Sequence, residues 1–106
     1  MSRISFQMNK VGEIIRSKRE DKGLLLRQLA AMVDVDTAIL SKIERGERKA
    51  RREQIDKIAD ALELDSENLL IEYLSENIAY EILDEKKAKD VLKVAESKIE
   101  YLRNHR

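Results

Sequence analysis

The stretch Leu26–Gly46, LRQLAAMVDVDTAILSKIERG, decides how this chain is read. It contains two short helical patterns, 26–33 and 37–45, separated by Asp34-Val35-Asp36. Leu29, Ala30 and Val33 recur on one face of the first pattern, and Leu40 and Ile43 on one face of the second. Val35 is apolar and suits the angle where two such helices meet, while the small Ala30 lets them cross closely. Two helices at a steep angle across a three- to four-residue turn are a helix-turn-helix. Held this way, the second helix leaves its N-terminal half exposed, the part that in such motifs enters a DNA major groove.

Working outward, an amphipathic segment from Asn9 or Lys10 to Lys22 places Val11, Ile14 and Ile15 inward, with Asn9 as a candidate cap. Gly23 supplies its left-handed stop. Met1–Met8 has no periodicity and reads as an arm that Phe6 could pin to the core. Asp36 is placed to cap the third helix, its acceptor oxygens and charge both matching the free N–H groups there. Beyond Gly46 comes a basic connector, RGERKARRE (45–53), with five cations against two acids. A fourth helix is expected over 52–62, burying Ile55, Ile58, Ala59 and Leu62. Asp65 caps a fifth, whose Leu69, Leu70, Tyr73 and Leu74 share a face.

These residues resemble the XRE or lambda/434-repressor-like family. The family's L-A pair, central turn Val, apolar position, Ser, basic residue and I-E-x-G stand here as Leu29-Ala30, Val35, Leu40, Ser41, Lys42 and Ile43-Glu44-Arg45-Gly46. Val11-Gly12, Ile15-Arg16, Arg19 and Gly23 match its first helix; Lys57–Leu62, Leu64-Asp65 and Leu69-Leu70 match its last two. The likeness spans about residues 9–74. It implies an all-α, five-helix repressor-like domain over residues 1–74, of the controller and phage-repressor type. It also implies that Thr37, Ala38, Ser41 and Lys42 face base edges. Thr and Ser hydrogen-bond many bases, Lys42 reaches guanine O6/N7, and Ala38 meets a thymine methyl. Ile39, read as exposed in that row, would pack on sugar or a thymine methyl. Arg19 and Glu44 match a partly buried pair that fixes the reading helix. The chain departs from the family at Leu25 and Leu26, where a capping Ser or Thr and a phosphate-touching Gln are usual. Arg27, Gln28 or the helix N-terminus is left to make that contact. Of the connector cations, Arg45, Arg48, Lys49 and Arg51 are the backbone-contact candidates, two or three of which could face one strand.

Residues 75–106 form a C-terminal helical extension. Ser75–Leu83 continues as helix or a kinked piece, and Asp84 reads as the cap of a last helix reaching about Arg103. Ala88, Leu92, Ala95, Ile99 and Leu102 recur at four-then-three spacing along it, a seam suited to dimerisation.

Composition narrows the function. Of 106 residues 40% are charged and 4% aromatic, with no Pro and no Cys. Such a chain makes a small helical domain without disulfides or thiolate metal sites. No apolar run approaches the roughly 18 residues of a membrane span, so the expected location is the cytoplasm. Net charge is zero, yet residues 1–57 carry 14 Lys/Arg against 9 Asp/Glu, a net +5, balanced by −5 in residues 58–106. The basic half is the half with the motif, and phosphate binding needs only a local basic face. One histidine, His105 at the tail, and three isolated glycines offer no catalytic triad, zinc cluster or phosphate loop. We therefore read no enzyme, metal or cofactor. The expectation is a bacterial or phage transcription regulator that binds operator double-stranded DNA as a homodimer, by blocking polymerase or by touching it from an adjacent site. Two rivals stand beside it. One is an antitoxin whose C-terminal helices bind a toxin or other protein partner. The other is an adaptor that has kept the fold without DNA binding, for which Leu25-Leu26 and the neutral total speak.

Overall fold

The computed structural model describes residues 10–106, so the readings of Phe6 as an anchor and Asn9 as a cap lie outside the described residues. All regular structure there is helical: α1 (Val11–Asp21), α2 (Leu26–Val33), α3 (Thr37–Glu44), α4 (Arg52–Leu62), α5 (Ser66–Ile82) and α6 (Ala88–Asn104). The chain divides into two compact units, the first ending at Glu76 and the second beginning at Asn77, so α5 belongs to both.

In the first unit, α1 and α2 each pack on α3 and on α4. Ile15, Leu29, Val33, Leu40, Ile55, Ile58 and Leu62 are fully buried at their junction. Each such aliphatic side chain contributes about 1.5–3 kcal/mol of transfer free energy. Ile14, Leu26, Val35 and Leu70 flank this core, Val35 from the turn it was expected to plug.

Helices α1 to α4 all stop in one way. After α1, Gly23 N–H bonds to Glu20 O at 2.9 Å and Leu24 N–H to Arg19 O at 3.0 Å. The same crossed pair closes α3, with Gly46 N–H to Ile43 O and Glu47 N–H to Lys42 O. This is the Schellman arrangement, which needs a left-handed residue just past the helix. Glycine takes that position after α1 and α3, whereas Asp34 (φ 57°) takes it after α2 and Glu63 (φ 58°) after α4. A side chain in that region costs roughly 1–2 kcal/mol, less for Asp than for Glu.

Three details tie the unit together. The Tyr73 hydroxyl donates to the Ala50 carbonyl at 2.6 Å, pinning the connector to α5. The Val11 N–H donates to Glu76 Oε1 at 2.9 Å, so a carboxylate from α5 sits at the positive end of α1. Lys22 forms an ion pair with Glu63, whose carboxyl is held below its ordinary pKa first by that hydrogen bond and then by the lysine's charge.

One expectation for residues 75–106 needs correction. Asp84 does not cap the last helix: it stands in a turn at residues 83–84, a second turn follows at 86–87, and α6 starts at Ala88 with Lys87 at the cap and no side-chain cap bond. Aspartate favours turns as well as caps, and here the turn wins. Of the two forms expected for 75–83, the piece takes the helical one, as α5 extends to Ile82.

Candidate nucleic-acid interface

The position of α3 is set from behind. Leu40 and Ile43 enter the core, and Glu44 is the only buried charged residue among those described. Arg19 Nε meets Glu44 Oε2 at 2.7 Å and Arg19 Nη2 meets Glu44 Oε1 at 3.0 Å, a two-pronged pair between α1 and α3. Arg19 Nη1 also donates to Leu24 O at 2.9 Å. The hydrogen bond to Glu44 raises the Arg19 pKa above its ordinary value, against the lowering effect of burial. Such fork-to-fork pairs fix orientation as well as distance. Gly12 adds a steric constraint on the same helix. A Cβ there would lie 2.4 Å from the Ile43 carbonyl oxygen and 2.5 Å from that of Glu44. Only glycine lets α1 approach the end of α3 so closely.

The front of α3 is fixed by its cap. Asp36 Oδ1 accepts from Ala38 N–H at 2.8 Å and from Ile39 N–H at 3.4 Å. Thr37, Ala38 and Lys42 stand exposed on this helix, while Ser41 is half-buried. Ile39 departs from the reading made of it. It is half-buried against the core rather than exposed, because its place in the helix turns it toward the first unit's apolar interior.

The cations differ in how free they are. Arg45 donates through Nη1 to Ser41 Oγ at 2.6 Å and through Nε and Nη2 to Glu47 at 2.9 and 3.1 Å. The Arg45 guanidinium, through its hydrogen bond, holds Glu47 below the ordinary carboxylate range, and Glu47 raises Arg45 in turn. Two candidates named separately, Ser41 and Arg45, are thus one cluster, with Glu47 as a member the sequence did not mark. Arg48, Lys49 and Arg51 are exposed. Arg27 and Gln28 are exposed in the first turn of α2, where Gln28 Oε1 accepts the Leu25 N–H at 2.7 Å. Gln28 thus satisfies the N–H of the cap residue itself, the other half of the bonding that a Ser or Thr at position 25 would complete by accepting from the first-turn N–H groups.

This is a short helix with one face locked and the other open, next to a cationic loop. The family model for helix-turn-helix proteins matches residues 15–69. The chain belongs to the helix-turn-helix family. An uncharacterised HTH-type transcriptional regulator of Mycobacterium tuberculosis is 40% identical to it over 60 residues, 57% of this chain and 43% of that protein. The transcriptional repressor RghR of Bacillus subtilis is 38% identical over 64 residues, 59% of this chain and 47% of its own. The chain thus spans about half the length of the curated relatives it matches. Among solved structures, the restriction–modification controller protein C.AhdI of Aeromonas hydrophila aligns with TM-score 0.54 and 32% identity, over 59% of this chain and 96% of that one. The biofilm regulator SinR, solved in complex with DNA, aligns with TM-score 0.53 and 30% identity over 57% of this chain and 97% of that one. Among the described residues no helix is long and apolar enough to cross a membrane.

Proposed function

We propose that the protein is a sequence-specific DNA-binding regulator of transcription that works in the cytoplasm as a homodimer. The observation that carries this reading is α3, immobilised from behind by Leu40, Ile43 and the Arg19–Glu44 pair while Thr37, Ala38 and Lys42 remain exposed. In this assignment Thr37, Ala38, Ser41 and Lys42 face base edges, and Arg48, Lys49 and Arg51, with Arg27 and Gln28, face phosphates. Arg45 joins them when a phosphate replaces Glu47 as its partner. One such domain reads half a site; a two-fold pair sets two reading helices about 34 Å apart on one face of the DNA.

The test is selection of bound sites from a random DNA pool by the full chain, followed by affinity against salt. The reading requires a selected sequence with two-fold symmetry and a log–log salt slope that counts several phosphate contacts. A pool without consensus, or binding without salt dependence, contradicts it.

A further inference from the structure

Helix α6 buries no residue, although it carries Val91, Leu92, Val94, Ile99, Tyr101 and Leu102, each 43–61% exposed. A helix of this length draws most of its stability in water from packing an apolar face. Its seam is Ala88, Leu92, Ala95, Ile99 and Leu102, with small and large residues alternating over the first four. From the alternation and the flanking charges we infer that α6 pairs antiparallel with α6 of a second copy, in one definite register. The inference rests on the dimeric reading above and names the surface.

The register follows from charge. Seam residues of antiparallel helices interlock across the pair, and the residues beside the seam meet their equivalents from the other chain. Two arrangements bring four seam layers together. In the first, Leu92 faces Ala95 of the second copy and Ile99 faces Ala88, so these two large side chains each meet a small one, while Leu102 lies beyond the four layers. Lys89 then lies beside Glu96 of the second copy, twice by symmetry, and the Lys98 stem covers Val91. In the second, Leu92 faces Leu102 and Ala95 faces Ile99. There Lys89 approaches Arg103, Glu96 meets Glu96, and Lys98 meets Lys98, all like charges. A parallel pair stacks Ala on Ala and Leu on Leu, and sets Lys98 beside Arg103. Only the first arrangement is complementary in both size and charge. It is also isologous, as a closed two-fold dimer requires.

Because the chain has no cysteine, cross-linking can read the register directly. Ala88→Cys and Ile99→Cys are made singly in the full chain and oxidised alone and as a mixture. In the inferred register 88 of one chain lies opposite 99 of the other, while 88 and 88, or 99 and 99, are roughly 16 Å apart along the axis. That is beyond disulfide reach, which ends near 7 Å between Cα atoms. The expected result is a disulfide-linked dimer from the mixture and none from either protein alone. Linking by each variant alone means a parallel pair, and no linking at all means another register or surface; both overturn the inference. Sedimentation equilibrium of the unsubstituted chain separates the two levels of failure. A monomer contradicts the dimeric reading itself, whereas a dimer that never cross-links contradicts only the α6 surface. Charge reversal gives a second readout. Glu96→Lys weakens the dimer about tenfold, and adding Lys89→Glu restores it, since the reversed pair attracts again.

Discussion

Helices α3 and α6 differ in what fixes them. The first has 8 residues and buries three of them, Leu40, Ile43 and Glu44. The second has 17 residues and buries none. Length therefore does not decide which helix is immobilised. In α3 each inward position has a partner, including a charge that meets a guanidinium, and the outward positions are left for something outside the protein. In α6 the apolar positions themselves are exposed, and it is the inferred pairing with a second copy that would cover them.

That contrast can be broken most severely from behind α3. Gly12→Ala pushes a methyl group into the Ile43 and Glu44 carbonyls, which must shift. Arg19→Ala leaves the Glu44 carboxylate buried without its fork. A loss of about 3 kcal/mol or more in urea unfolding is expected for each. Arg19→Lys recovers only part, since an ammonium cannot span both oxygens. A like-sized truncation on the two helices then compares them directly. Leu40→Ala costs about 2–5 kcal/mol at any protein concentration. Leu92→Ala leaves the first unit's unfolding unchanged and appears only as concentration-dependent dissociation; equal losses for both would erase the contrast.

Smaller effects come from the cationic loop. Arg48→Ala and Lys49→Ala weaken binding to all DNA sequences alike, each lowering the salt slope by about one if it meets a phosphate. Glu47→Gln works in the opposite direction, raising affinity for every sequence by freeing Arg45. Acid acts on the same group with a determinable sign. The depressed folded pKa of Glu47 means its pairing contributes above the ordinary carboxylate pKa and is lost as pH falls through the folded value. The smallest expected change is a gain. In a Lys22→Ala background, where the ion pair to Glu63 is already gone, Glu63→Gly removes a side chain from a left-handed position and stabilises the first unit by about 0.5–1 kcal/mol in thermal or urea unfolding.

The first four helices were legible because each is short, amphipathic and punctuated. Gly23, Asp36 and Gly46 mark stops and starts, and the inward positions of α4 were readable one by one. Val35 and the Arg19–Glu44 pair were readable from the family likeness as well. Asp34 and Glu63 were not: aspartate takes a left-handed conformation more readily than most residues but serves turns and caps as well, and glutamate gives no such signal. The Glu76 cap on α1 joins positions 65 apart, which local periodicity cannot connect. Ile39 was misplaced because the polar residues around it drew it onto the outer face. Asp84 failed for a related reason, since one residue type serves both turns and caps. The Arg45–Ser41–Glu47 cluster was half legible: the cation and the hydroxyl were named, but an acid within a basic run gave no signal of its own.

The central claim is that the outer face of α3 reads bases, and Lys42 tests it most directly because its side chain is exposed on that face. Equilibrium affinities of the unsubstituted chain and of Lys42→Ala are measured at one salt concentration, on the selected site and on random DNA of equal length. The account predicts a loss of about 1–3 kcal/mol on the selected site and little change on random DNA. An equal loss on both would mean that Lys42 touches phosphate, and no loss on either would mean that α3 does not read the DNA through this residue.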